Sequence, residues 1–557
     1  MRGTGRLKGI LAVALAAVFV VSSLDTAWTV RTSSLRSTVD PSLRAGEVAI
    51  VHTMSGLAGA LSLKLARLGA VDIQTEDAAD TVIARLTTVA LAAIASDPSV
   101  TAATRDIAVI ALDGGKGTGF ERDNANDKDK DDKDKDDNDN YQKDNEQRVP
   151  GRTSSNTGGS NKGPSASVKA IHGPQAWTQT TGDGVTVAVM DTGIADHPDL
   201  PRGKVRARID FVKDGATSQD PAGHGTFIAG VIAANGATQG VAPDARLVSL
   251  RVLDANGRGS LSSVVGAFNW VLKNQERFDI KVLSLSWGAP QATTYHTSIL
   301  SALVESAWFS GVTVVAASGN DGPAAGSIKS PASDPFVVAA GSFNDRGTTD
   351  ASDDVLSSFT GRGPTLDGFA KPDTLAPGEH VASLRVNGVT YLGVDGAPIG
   401  SPSDQYIHMT GTSASAAFVS GVAALVASAH TRYTPTQIKG AIVASGRPIS
   451  GSAAAAVDAP NALTRTPAQV NVRLKPSRLL LQILSKSHLL RVHGVTWDGV
   501  TWEDGVSWDG VTWEDGVTSG DSLTWESISW EAVSWKTVSW ETVTWDGVTW
   551  EDAMSEE

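Results

Sequence analysis

A chain of 557 residues exceeds one ordinary domain and predicts three or four segments. It has no cysteine, which excludes disulfides, thiol catalysis and cysteine-based metal sites. The net charge of −14 gathers at one end: residues 494–557 hold fifteen of the 61 acidic side chains and one of the 47 basic ones, so the rest is neutral, without the basic surplus that binds nucleic acid.

Residues 1–27 read as an export signal or N-terminal anchor. Arg2, Arg6 and Lys8 precede an apolar run from Gly9 to Val21, which is short for a membrane span and suits a signal core. The cleavage pattern is poor, since ending at Ala27 puts Asp25 where a small neutral residue is wanted. Residues 45–111 read as a small α+β unit. Strands are expected at 47–51, 71–73, 81–84 and 106–110, with helices at 57–68 and 88–95; Leu57, Leu61, Leu65 and Leu68 form one stripe of the first. This β-α-β-β-α-β order is the ferredoxin-like motif, which by itself assigns no function. Residues 116–166 form a linker. Its Asp/Lys/Asn-rich part has nothing to bury and predicts disorder, and Gly, Ser and Asn dominate the remainder.

From residue 167 the pattern changes. Continuous apolar strands are expected at 185–190, 247–252, 282–286, 312–317 and 336–340, with helices at 226–233, 262–274 and 298–309 between them. That alternation predicts an α/β domain on a parallel sheet, with ligands at the carboxyl ends of the strands. Four polar residues fall at such ends or helix starts. Asp191 follows the first strand, His224 opens an apolar helix, Asn320 follows the strand ending at Ala317, and Ser413 precedes an uncharged run to Ala427. Each alone reads as a turn or cap. Together they supply what acyl transfer needs: nucleophile, near-neutral base, orienting carboxylate and oxyanion donor.

The motifs Val189-Met190-Asp191-Thr192-Gly193, His224-Gly225-Thr226-Phe227-Ile228-Ala229-Gly230, Gly240-Val241-Ala242-Pro243 and Gly411-Thr412-Ser413 make residues 167–465 resemble the catalytic domain of subtilisin-like serine peptidases. The order Asp, His, Ser is the one found in subtilisin. The resemblance implies a secreted endopeptidase made as a zymogen, on a subtilisin-like parallel sheet flanked by helices. Asp191 would orient, His224 act as base and acid, Ser413 attack, and Asn320 with the Ser413 N–H hold the oxyanion. Substrate would enter as an extended strand along Gly257, Gly259, Ser284, Leu285, Ser286 and Gly288, with Ser318 and Gly319 lining the primary pocket. Lys329, placed near the pocket floor, is expected to favour an acidic side chain before the scissile bond. Residues 45–111 would be an inhibitory propeptide that assists folding and blocks the cleft, and the linker would keep it tethered.

The chain departs from the family pattern at Phe227, Ala414, Ala417 and Phe418, where His, Met, Pro and His are usual. The loop 234–239 is shorter than in relatives that hold calcium there. No cofactor is expected; calcium is left open with its site unassigned, because its oxygen ligands are scattered in sequence.

After a connector, 466–493, the tail 494–557 repeats tryptophan at a dominant step of five, as at Trp497, Trp502, Trp508 and Trp513. Five fits neither a helical face nor a strand, so an array of short repeats is expected, with attachment to cell envelope or glycan as its functional reading. The second function class is therefore a non-catalytic cell-surface binding protein on a subtilisin-like scaffold, against which the intact Asp191, His224, Asn320 and Ser413 argue.

Overall fold

The computed structural model describes residues 38–40, 43–53, 56–76, 81–112, 163–289, 293–389 and 405–480. The export segment, most of the linker and the tryptophan-repeat tail lie outside them.

The N-terminal unit has four antiparallel strands, Val48–Thr53, Val71–Glu76, Thr81–Arg85 and Val100–Arg105, with helices Ala58–Arg67 and Thr88–Ser96. Strand 48–53 lies between 81–85 and 100–105, as the ferredoxin-like order requires. Ala58, Leu61 and Leu65 bury one helical stripe against the sheet, while Leu63 stays exposed. Thr87 caps the second helix, its hydroxyl accepting from the Ala90 N–H at 3.1 Å. Thr38–Val39 adds a short parallel edge strand. The expected last strand, 106–110, is corrected. The sheet closes with Val100–Arg105, and Ala108–Ala111 leaves it to pair elsewhere. The two runs are both apolar and β-prone, and the sequence pattern did not tell which one the sheet takes.

The larger body is built on a parallel sheet. Its central strand Thr186–Asp191 is flanked by Arg246–Arg251 on one side and Ile280–Leu285 on the other. Val205–Asp210 extends the first side; Thr313–Ala317, Val338–Asn344 and Thr374–Pro377 extend the second, closed by an antiparallel pair at Val355–Leu356. The central strands are buried on both faces, which explains their unbroken apolar runs. Strand 205–210 alternates exposed and part-buried residues and escaped the sequence reading for that reason. Helices His224–Ala233 and Thr412–Ala429 pack on each other, as do Leu261–Phe278 and Ile299–Phe309. Thr412–Ala427 is buried throughout, and its small residues let the neighbouring strands approach.

Part of the expected connector, 466–480, packs on the larger body: Leu479 and Leu480 are buried, and the Ser477 N–H donates to both oxygens of the buried Glu305 carboxylate at 2.9 and 2.8 Å. Glu305 adjoins Asp334, whose pKa burial raises to about 6. A folded-state pKa above the unfolded value of ~3.8–3.9 favours folding below pH ~4, and this contribution is lost as pH rises through 6. Asp334→Asn is expected to gain melting temperature relative to the parent between pH 4 and 7. Parallel thermal melts with a constant difference across that range would show the carboxyl does not titrate there.

Candidate active site

The Asp191 loop and the His224 helix are joined through one buried carboxylate. Asp220 Oδ1 accepts from the Gly223 N–H at 2.8 Å and the Thr192 hydroxyl at 2.7 Å; its Oδ2 accepts from the Thr226 N–H at 2.7 Å and the Thr226 hydroxyl at 2.5 Å. The two hydroxyls pass the link on. Thr192 Oγ1 accepts from the Gly225 N–H and Thr226 Oγ1 from the Ala195 N–H, both at 2.9 Å. Burial pushes the pKa of Asp220 up, against these four donors. The backbones meet so closely that a Cβ on Gly225 would stand 2.0 Å from the Gly193 carbonyl oxygen. The glycines of Asp-Thr-Gly and His-Gly-Thr are therefore required by contact, not only by turn geometry.

His224 Nδ1 lies 2.7 Å from Asp191 Oδ1, with both side chains buried. An ionised carboxylate only accepts, so Nδ1 carries the proton and Nε2 is the ring nitrogen that can act as a base. Ser413 stands in the first turn of helix Thr412–Ala429, whose leading N–H groups have no partner within the helix. Its hydroxyl donates to two carbonyls, Leu112 at 2.7 Å and Ser286 at 3.0 Å. Asn320 Nδ2 also donates to the Leu112 carbonyl, at 2.8 Å. The Asn320 orientation is fixed because its Oδ1 accepts from the Thr412 N–H at 3.0 Å and the Thr412 hydroxyl at 2.8 Å. A backbone N–H cannot accept, so the amide nitrogen must face Leu112.

Leu112 arrives there on the strand Ala108–Ala111, inserted between Arg258–Ser260 and Trp287–Gly288 and antiparallel to both. Val109 pairs with Gly259, Ile110 with Arg258 and Gly288, and Ala111 with Trp287. The Ala111 N–H donates to Gly257 O at 2.8 Å and the Leu112 N–H to Ser286 O at 3.1 Å. Upstream, the Asp106 carboxylate accepts from the Ser262 N–H and hydroxyl at 2.9 and 2.8 Å, capping helix Leu261–Phe278.

Of the expected substrate-binding residues, Gly257, Gly259, Ser286 and Gly288 touch the inserted strand. Ser284 and Leu285 do not: they lie within the central sheet, in register with Val189 and Met190. The bonding segment starts one step later, at Ser286, because the strand must end before its backbone can serve a new partner. Ser318 and Gly319 lie against Lys329: Ser318 O accepts from the Lys329 N–H at 2.9 Å, and a Cβ built on Gly319 would stand 2.6 Å from Lys329 Cγ. The Lys329 ammonium pairs with the Asp321 carboxylate. At the shortened loop, Asp199 accepts from the Ala237 and Thr238 N–H groups at 2.6 and 3.0 Å and from the Tyr406 hydroxyl. Donors surround that carboxylate, where a cation would require oxygen ligands. Sequence reasoning missed Leu112, Thr412 and Asp220. The first was hidden in an ordinary apolar run, Thr412 was inside the Gly411-Thr412-Ser413 motif without being given a role, and Asp220 fell outside every motif.

Comparison with known proteins agrees with this geometry. The subtilase family model matches residues 182–466, about half of the chain. Serine protease AprX of Bacillus subtilis (strain 168) is 37% identical over 270 residues, covering 46% of this chain and 60% of that protein. Subtilisin Savinase of Lederbergia lenta is 37% identical over 276 residues, covering 49% of this chain and 87% of its own length. Thermitase of Thermoactinomyces vulgaris is 35% identical over 287 residues, covering 51% and 88%. The chain thus spans less than two thirds of AprX but most of the other two. On the family match and on these identities, the chain belongs to the subtilase family.

Proposed function

We propose that this protein is a serine endopeptidase made as a zymogen, and that the first peptide bond it hydrolyses is its own Leu112–Asp113. Asp191, His224 and Ser413 form the triad; Asn320 and the Ser413 N–H are the oxyanion donors. The observation that carries the reading is the seating of Leu112: its carbonyl oxygen takes hydrogen bonds from Ser413 Oγ and Asn320 Nδ2 together. In the reaction Ser413 Oγ bonds to the Leu112 carbonyl carbon while its proton passes to His224 Nε2. The imidazolium is held by Asp191. Asn320 Nδ2 already donates to the oxygen that becomes the oxyanion, and the Ser413 N–H, at the start of its helix, is the second donor of this reading. Collapse breaks the bond to Asp113, whose nitrogen leaves with the proton from His224. Water, deprotonated by the same imidazole, then releases the Leu112 carboxylate and restores Ser413.

Residues 45–112 act as propeptide. β-Augmentation by 108–111 and the Asp106 cap hold them in the cleft, where they exclude other polypeptides. Leu112–Asp113 lies ahead of the charged linker, so hydrolysis leaves the linker on the peptidase and ends the covalent tether. Polypeptides are the substrates, no cofactor takes part, and the apolar leader directs the protein out of the cytoplasm. The tail, with its repeated tryptophans and acidic residues, is its contact with cell envelope or glycan.

Purified protein is expected to yield a new N-terminus at Asp113 and to react with a serine-directed phosphonate. Ser413→Ala should abolish both while remaining folded with 108–112 in place. A Ser413→Ala protein that is still processed at Leu112 in the absence of other peptidases would overturn the reading.

A further inference from the structure

Asp191 ends its strand, and its backbone is held from two sides. Its own carbonyl oxygen accepts from the Val252 and Leu253 N–H groups at 2.8 and 3.2 Å, on the side of strand Arg246–Arg251. Consecutive carbonyls of a strand face opposite neighbours, so that of Met190 faces the other side. There strand Ile280–Leu285 ends, with Leu285 in register with Met190. The chain then leaves the central sheet to pair with the inserted strand, Trp287 against Ala111 and Gly288 against Ile110. The Trp287 side chain turns back: its indole N–H donates to Met190 O at 3.0 Å, and the residue is fully buried. Its neighbour Ser286 donates through Oγ to Ser413 O at 3.2 Å.

We infer that Trp287 is a positioning residue for Asp191: its indole holds the Met190 carbonyl, and with it the carboxylate that orients His224, against the segment that seats the substrate. This rests on the proteolytic reading above and adds a residue to that site. A buried indole ordinarily finds an acceptor, and packing alone would explain a tryptophan in a core. Two facts go further. The acceptor lies one residue before the carboxylate bonded to His224 Nδ1. The donor belongs to the residue whose backbone pairs with Ala111, the residue before the scissile Leu112. One segment, 286–288, thus touches the occupant of the cleft, the nucleophile's backbone and the strand end that carries Asp191. A side chain of similar bulk without an N–H fills the space and leaves the Met190 carbonyl without that donor. The strand end is then fixed from the Val252 side alone, and Asp191 shifts relative to the imidazole.

Trp287→Phe removes the donor and leaves a ring in the core. With a peptide substrate, kcat of the processed, phosphonate-titrated full chain should fall about tenfold while KM stays within about twofold, since the substrate pairs with backbone. A double-mutant cycle then separates positioning from packing. It follows cleavage at Leu112–Asp113 in freshly synthesised full chains: the parent, Trp287→Phe, Asp191→Asn, and both changes together. Trp287→Phe should slow the parent about tenfold and the Asp191→Asn chain by less than about twofold, because a carboxylate already removed cannot be misplaced. Loss of packing alone would slow both backgrounds by the same factor. Equal factors in the two backgrounds overturn the inference, as does a kcat within about twofold of the parent or a loss carried by KM alone; the peptidase assignment stands in each case. Should Trp287→Phe not fold, Trp287→Leu is carried through the same cycle. Absence of cleavage by the parent, together with no phosphonate labelling, overturns the assignment and this inference with it.

Discussion

Asp191→Asn is expected to lower kcat by about 10⁴-fold with little change in KM, in a protein that folds and keeps Leu112 seated. Asp191 Oδ1 accepts from His224 Nδ1 and from the Thr192 N–H, both at 2.7 Å. One oxygen takes both bonds. An asparagine that keeps its oxygen there still accepts from Nδ1 but brings no negative charge to the imidazolium that forms; one that puts its nitrogen there sets NH₂ against Nδ1–H and forces the proton onto Nε2, the nitrogen that has to receive one from Ser413. Size and burial are unchanged, so the loss is one of charge and tautomer rather than of packing. Self-processing at Leu112–Asp113 is the more sensitive reading, because a 10⁴-fold loss leaves unprocessed chain to be counted on a gel. A variant within tenfold of the parent would mean that the base does not depend on Asp191, and the triad as drawn would be wrong.

Much of this site was legible in the sequence because its motifs are local. Asp-Thr-Gly, His-Gly-Thr and Gly-Thr-Ser sit at strand ends and helix starts, where periodicity changes and the breaks are easy to read. The parallel sheet was legible for the same reason: strands buried on both faces are apolar without interruption. What escaped depends on pairing between distant segments. Ala108–Ala111 carries the same β-prone character whether it closes the N-terminal sheet or inserts beside Arg258–Ser260 and Trp287–Gly288, and one sequence has no term for that choice. Lys329 was read without its counter-ion: Asp321, eight residues earlier, pairs with its ammonium across a turn that the sequence pattern does not reveal. Ser284 and Leu285 were put in the cleft by resemblance, together with Ser286; the first two pair within the central sheet, and only Ser286 bonds to the inserted strand.

Asp220→Asn is expected to cost about 3–5 kcal/mol of stability and to depress turnover further than unfolding alone explains. The change looks conservative and is not. Each carboxylate oxygen accepts one backbone N–H, Gly223 on Oδ1 and Thr226 on Oδ2. An amide must present its NH₂ to one of them in either orientation, setting donor against donor at a fully buried site. The hydroxyls of Thr192 and Thr226 can rotate away; the two N–H groups cannot. Since these bonds set the start of the His224 helix against the Asp191 loop, their loss shifts the imidazole relative to Ser413, and misplacement on the order of 1 Å can cost ~10²-fold in rate. Denaturant unfolding gives the first quantity, and kcat of the phosphonate-titrated folded fraction gives the second. Serine or alanine at 220 should fare no worse than asparagine, because each removes the bonds without adding an opposed donor. If asparagine proves the mildest of the three, the network is held by shape rather than by the two fixed N–H groups, and the link from Asp220 to the geometry of His224 fails.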